Sequence, residues 1–244
     1  MIAMQPLQND TYRHRGLRKE LVRKLEEENY ALVTQPDGSR KRVLTRTPIT
    51  DRNVLEAINT VPRHLFFGED TIFHENQAYE DIAFQIGEGQ TISQPYTVAR
   101  QSELLQVAPR EKILEIGTGS GYQAAVLAQL GARVYSIERH RKLHERTKPL
   151  LEKLGYQSVK CFFGDGFEGL PMYAPFDKII ITAAVPELPK KLLKQLAVGG
   201  KMIIPFGSET KCIMLRITKV SEEQFATEEF GNFAFVPMLK GKVF

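Results

Sequence analysis

The sequence predicts an α/β protein built on a doubly wound, mostly parallel sheet. Three observations predict it. From about residue 112, short apolar runs alternate with segments of helical period. The first run, KILEI, ends in three alternate glycines that lead into a helix. Four βα-type units in succession can bury their strands only in a sheet covered on both faces. Two apolar runs with no helix between them close the chain, and they predict a C-terminal antiparallel hairpin.

Taken in order, RGLRKELVRKLEEEN predicts a helix with a narrow stripe of Leu17, Leu21 and Leu25. Its basic start and its acidic end at Glu26, Glu27 and Glu28 oppose the helix dipole, so packing must hold it. ALVTQ and SRKRVLT flank Pro36-Asp37-Gly38 and predict a hairpin over about 31–48, expected to stand outside the catalytic fold. Arg40, Lys41 and Arg42 belong to its solvated arm. A short helix after Thr50 presents Val54, Leu55, Ile58 and Val61 and ends before Pro62. The stretch from Gln85 to Tyr96 carries two glycines, two hydroxyls and a proline, and predicts a loop covering a site, ahead of the helix TVARQSELLQV. After 112, the predicted strands are KILEI, RVYSIE, SVKCFF, DKIIITAA and GKMIIPF, and CIMLRITKV and QFATEEF form the final hairpin. The intervening helices are GYQAAVLAQLG, closed by Gly131, RHRKLHERTKPLLEKLG, closed by Gly155, and LPKKLLKQLA.

Composition excludes several classes. At 42% hydrophobic and 25% charged over 244 residues, the chain suits a folded domain rather than a disordered or collagenous one. No apolar run reaches the ~18 residues of a membrane helix, and the start does not read as a signal peptide, so the expected location is cytoplasmic. Cys161 and Cys212 are expected as reduced, inert core thiols. Residues 1–50 hold ten Lys/Arg and six Asp/Glu, whereas the remainder holds 23 of each. The body is therefore neutral, unlike an enzyme with a polyanion groove.

The chemistry concentrates at the carboxyl ends of the predicted strands, where ligands of such sheets bind. Gly117, Gly119 and Gly121 let backbone approach a ligand closely. The spacing is neither G-x-G-x-x-G nor a Walker loop. Glu115, two residues before Gly117, favours a cation over a pyrophosphate; Glu138 ends the second strand, where an acid accepts ribose hydroxyls. Asp165, in Gly164-Asp165-Gly166, can accept from an adenine amino group. A cationic amino-acid end, a ribose and an adenine describe S-adenosyl-L-methionine. His140 and His144 stand four apart, but Arg139, Arg141, Lys142 and Arg146 crowd them, so no metal site is expected.

Through these and the following motifs, the sequence resembles the protein-L-isoaspartate O-methyltransferase family. The resemblance runs from about Val61 to Gly241 through VPRHLFF, AYEDIAFQIGEGQTISQPYTVA, ILEIGTGSGYQAAVLA, APFDKIIITAA, LLKQLAVGGKMIIPFG and FVPMLKG. GQTISQPY is specific to that family, whereas EIGTGSG is shared among many methyltransferases. The resemblance implies a Rossmann-like methyltransferase fold over 61–244, with N-terminal helices and the hairpin over 1–60. It implies Ser93 as the catalytic serine. It places cofactor contacts on Gln90, Thr91, Ile92, Ser93, Glu115, Gly117, Glu138, Asp165 and Gly166, and Gly119 and Gly121 join them through the glycine turn. The implied partners are isoaspartyl proteins and peptides, met by a monomer without nucleic acid or membrane. Phe84-Gln85 and Gln101-Ser102 depart from the family pattern and are expected to bear on peptide fit. A base-methylating enzyme would need an Asp/Asn-Pro-Pro-aromatic motif where Thr182-Ala183-Ala184-Val185 stands. A non-catalytic binding module would be free to lose the acids and the serine, all of which are present.

Overall fold

The computed structural model describes residues 10–35, 39–68, 75–209 and 211–244. Seven strands form one sheet in the order β11-β10-β9-β8-β5-β6-β7. They are β5 (Lys112–Ile116), β6 (Arg133–Glu138), β7 (Val159–Phe163), β8 (Phe176–Ile181), β9 (Leu196–Ser208), β10 (Lys211–Lys219) and β11 (Phe225–Phe233). The strands from β9 through β7 pair in parallel, and β9–β10–β11 pair antiparallel, so the doubly wound sheet and its terminal hairpin both form. The chain runs from β5 outward to β6 and β7, then returns to the other side of β5 as β8. That reversal opens a crevice at the carboxyl end of β5.

Apolar strand residues explain the core. Leu114, Ile116, Ile179 and Ile181 pack on one face, and Ile113, Ile180 and Ile203 join the other with α4 (Tyr122–Gln129). Helix α4 is buried nearly all round, as its AAVLA run requires. Helix α5 (Arg141–Lys153) buries only Leu143, Thr147 and Leu151, which matches its charged sequence. The core continues across residue 60, because Leu21, Leu25 and Ile58 belong to the same buried cluster as Leu105, Tyr122 and Val126.

The N-terminal part differs from expectation in two respects. Helix α1 (Tyr12–Leu25) stops at Leu25, so Glu26, Glu27 and Glu28 lie beyond its last turn, which instead carries Arg23 and Lys24. That arrangement favours the dipole. Its buried face is His14, Arg18, Leu21 and Leu25; Arg18 forms a bidentate pair with Asp10 at 2.7 and 2.8 Å, and Leu17 is only partly covered. The arms β1 (Asn29–Thr34) and β2 (Arg40–Arg46) pair antiparallel; Pro36, Asp37 and Gly38 lie outside the described residues. Helix α2 (Arg52–Thr60) is capped by Asp51, which accepts from the N–H groups of Asn53 and Val54. Among the described residues, no helix is long and apolar enough to cross a membrane.

Candidate active site

The segment expected as a loop covering the site contains a small hairpin, β3 (Phe84–Gly87) with β4 (Gln90–Ile92), leading into α3 (Pro95–Leu105). Glu88 takes φ of 53° at its tip, between two glycines that also have positive φ. The tip is clasped from α5: Lys142 lies 3.1 Å and His140 3.9 Å from the Glu88 carboxylate, and Arg146 donates to the carbonyl of Ile86 at 3.0 Å.

This hairpin, the glycine turn after β5 and the stretch 232–239 enclose a cavity of about 690 Å³. Of the residues predicted for the site, Gln90, Thr91, Ile92, Ser93, Gly117, Gly119, Glu138 and Gly166 lie on its wall. Glu138, almost fully buried, accepts from the backbone N–H of Gly119 and of His140, both at 2.8 Å, and so ties the glycine turn to the end of β6.

Glu115, Gly121 and Asp165 do not reach the wall. Glu115 is fully buried beneath the turn, bonded to Ser136, and Ser136 lies 2.6 Å from Thr118. Burial pushes its carboxyl up to about 8, opposed by the Ser136 hydrogen bond and reinforced by the charge of Glu138. Burial thus favours the neutral carboxyl and weakens the negative charge that its spacing promised. Gly121 serves packing: a Cβ there meets Thr147 at 2.7 Å and Leu151 at 3.2 Å. Asp165 accepts from the N–H of Phe167 at 2.9 Å and of Gly241 at 2.7 Å, which anchors the chain after β11 beside the cavity.

The departures from the family pattern also lie off the wall. Gln101 and Ser102 are fully buried. Gln101 donates to the carbonyl of Ile181, and Ser102 bonds the carbonyl of Val98 while accepting from Gln123. Phe84 packs against Phe67 and the guanidinium of Arg63, and Gln85 faces solvent. Phe84, Gln101 and Ser102 wire β3 and α3 to the core, and none of the four residues lines the cavity.

Several wall residues escaped sequence reasoning. Thr182, at the end of β8, places its hydroxyl 2.9 Å from the carbonyls of Ile116 and Gly117. A Cβ at Gly117 would stand 2.5 Å from that hydroxyl, which accounts for the glycine. Phe235, Val236 and Met238 enter from the end of the chain. Arg46, expected on a hairpin outside the catalytic fold, lies on the wall with its guanidinium over the Tyr96 ring, which corrects that separation. No motif flags a lone arginine in a basic arm. The metal-type cluster among the described residues is Asp10, His14 and His64, away from His140 and His144. Arg18 already occupies Asp10, and His14 Nδ1 accepts from the N–H of Thr11.

The wall thus joins apolar side chains, a positive-φ glycine turn at a helix start, one charged acid and a serine on a clasped hairpin. A family model described as protein-L-isoaspartate(D-aspartate) O-methyltransferase matches residues 41–243. A protein-L-isoaspartate O-methyltransferase of Flavobacterium psychrophilum is 51% identical over 233 residues, covering 96% of this chain and 99% of the relative. One from Pseudomonas fluorescens is 48% identical, covering 83% and 96%. Among solved structures, a protein-L-isoaspartate O-methyltransferase superposes with a TM-score of 0.73 at 27% identity, covering 90% of this chain and 65% of that one. A Plasmodium falciparum chain described as the same enzyme, solved with S-adenosyl-L-homocysteine, gives 0.69 at 24% identity, covering 93% and 98%. A shared fold, a family model spanning most of the chain and half-identical relatives agree: the chain belongs to the protein-L-isoaspartate(D-aspartate) O-methyltransferase family.

Proposed function

We propose that the chain transfers a methyl group from S-adenosyl-L-methionine to the free α-carboxylate of L-isoaspartyl residues in damaged proteins and peptides, the step that starts their repair. The observation that carries the reading is one cavity whose wall holds Glu138, the glycine turn and Ser93, the residue that follows β4. The wall suits the cofactor: Glu138 keeps carboxylate lone pairs for a ribose diol, and Ile116 and Ile137 offer apolar contact to a base. The same fold holds S-adenosyl-L-homocysteine in the Plasmodium neighbour. When bound, the cofactor supplies an electrophilic methyl on a sulfonium.

An isoaspartyl α-carboxylate has a pKa near ~3.5, so it is ionised at pH 7 and requires no general base. An oxygen of that carboxylate forms the new bond to the methyl carbon as the carbon–sulfur bond breaks, and its electron pair leaves with sulfur. Positive and negative charge vanish together, so the protein's task is alignment and removal of water. Ser93 is assigned to orient the carboxylate by a hydrogen bond, and the clasped β3–β4 hairpin to exclude water. Gln90, Thr91, Ile92, Gly117, Gly119 and Gly166 are assigned to the cofactor; Glu115, Gly121 and Asp165 support them from behind the wall.

The reading extends to a monomer acting in the cytoplasm and not on nucleic acid. Two free thiols support a reducing compartment. Labelled methyl transfer to an isoaspartyl peptide, beside its aspartyl twin, tests the function. A normal aspartyl residue places its carboxylate differently along the backbone, and a misplacement of about 1 Å costs ~100-fold. At least that preference for the isoaspartyl peptide is expected; equal transfer to both overturns the proposal.

A further inference from the structure

We infer that Arg46 is a positioning residue for the methyl transfer, acting through Asp81 on the backbone that carries Ser93. The inference rests on the function proposed above and assigns the N-terminal hairpin a part in it. Arg46 ends β2 and is 13% exposed; its guanidinium pairs with Asp81, itself 15% exposed. The other carboxylate oxygen of Asp81 accepts the N–H of Tyr96 at 2.8 Å. Helix α3 has no side-chain cap of its own, since Gln94 makes no capping bond. Asp81 therefore caps it from fifteen residues upstream.

Ser93 lies between two fixed points of backbone. Its own carbonyl accepts from Arg63 at 3.1 Å, and Arg63 is fully buried and also holds the carbonyls of Ala78 and Ile82. The second point, three residues on, is the Tyr96 N–H held by Asp81. Three further contacts around Arg46 secure that second point, two of them made by its own side chain. Its guanidinium lies 4.1 Å above the ring of Tyr96. The Tyr96 hydroxyl donates to the carbonyl of Thr47, next in the chain, at 2.9 Å. Arg46 also donates to the carbonyl of Lys24 at 3.0 Å, which ties the assembly to the end of α1.

Without Arg46, the mostly buried Asp81 carboxylate loses its ion pair and keeps the more distant charge of Arg63, and turning toward water would release the Tyr96 N–H. Ser93 would then sample orientations unsuited to an in-line transfer, while the glycine turn and Glu138 stay in place. The cost falls on alignment and leaves cofactor binding untouched.

The test is steady-state transfer to an isoaspartyl peptide, with calorimetric titration of S-adenosyl-L-homocysteine, on the full chain. Arg46→Met should lower kcat at least fivefold while peptide KM and cofactor Kd change less than threefold. Arg46→Lys, which keeps a charge beside Asp81, should recover at least threefold of that loss. Asp81→Asn should also lower kcat at least fivefold, and the double variant should lose no more than twice the larger single loss. A kcat within fivefold of wild type, a raised KM at unchanged kcat, or losses that multiply in the double variant would each overturn the inference. If Arg46→Met does not fold, Asp81→Asn decides at the same fivefold threshold. Wild-type chain inactive on the peptide would defeat the functional reading; active wild type with unaffected variants defeats the role of Arg46 alone.

Discussion

At the scale of single residues, the two strand-end acids look alike in sequence and behave differently in the fold. Glu138 lies on the cavity wall as a carboxylate that two backbone N–H groups already stabilise. Glu138→Ala should weaken cofactor binding by about 1.5–3 kcal/mol, the range for a hydrogen bond to a charged group; unchanged affinity by calorimetry in a folded variant removes it from the site. Ser93→Ala should cut kcat on the order of 100-fold, the loss for one donor aimed at reacting atoms, with cofactor affinity held within a few fold. Parallel loss of binding and turnover would place Ser93 in the cofactor pocket instead. Glu115 yields a pH effect. Its carboxyl titrates near 8 in the folded chain against 4.5 ordinarily, so between those values the folded state binds a proton that the unfolded state has released. Stability of the cofactor-free protein should therefore fall as pH rises from about 4.5 to about 8, by on the order of a few kcal/mol, and then level off. Glu115→Gln should abolish that component. Urea midpoints at pH 5, 7 and 9 measure it, and parallel pH profiles for the two proteins would refute it.

At the scale of elements, the glycine turn divides into two functions that its spacing alone does not separate. Gly117 brings backbone against Thr182 on the wall, whereas Gly121, at φ of 86°, lets α4 and α5 close over one another. Gly121→Ala should destabilise by about 1–3 kcal/mol through overpacking against Thr147 and Leu151, yet leave cofactor Kd within threefold. A tenfold loss of affinity at unchanged melting temperature would return Gly121 to the binding surface. Strands and helices after residue 112 were legible because burial on both faces forces continuous apolar runs such as KIIIT, and glycines stop the helices. The β3–β4 hairpin was not, because its three- and four-residue strands are too short and too polar for alternation to show. Its order comes from Arg63, Lys142 and Arg146, contacts from 30 to 60 residues away in sequence that no local pattern announces.

At the scale of the whole molecule, what was legible in the site was its local part. Gln90 to Ser93, Gly117 and Glu138 sit in motifs whose chemistry follows from neighbours in sequence. Arg46, Thr182 and the segment from Asn232 to Leu239 meet them only once the sheet reverses at β5 and β11 returns the chain to the cavity. The charge distribution has the same long-range character. The basic excess lies in residues 1–50, yet Arg18, Arg23 and Arg46 are each paired with an acid, Asp10, Glu20 with Glu27, and Asp81 respectively. Three of its cations are thus held in pairs, the exposed Arg40, Lys41 and Arg42 stand together on one arm of the hairpin, and the rest of the chain is balanced. A nucleic-acid enzyme neutralising several phosphates would lose activity steeply with salt through counterion release. Methyl transfer to an isoaspartyl peptide should instead change less than threefold between 50 and 200 mM salt (roughly the span over which such release costs ~1,000-fold or more). Total RNA and duplex DNA should take up no label above background. Salt-sensitive incorporation into either would mean that the basic segment guides a polyanion, and it would overturn the peptide as the substrate.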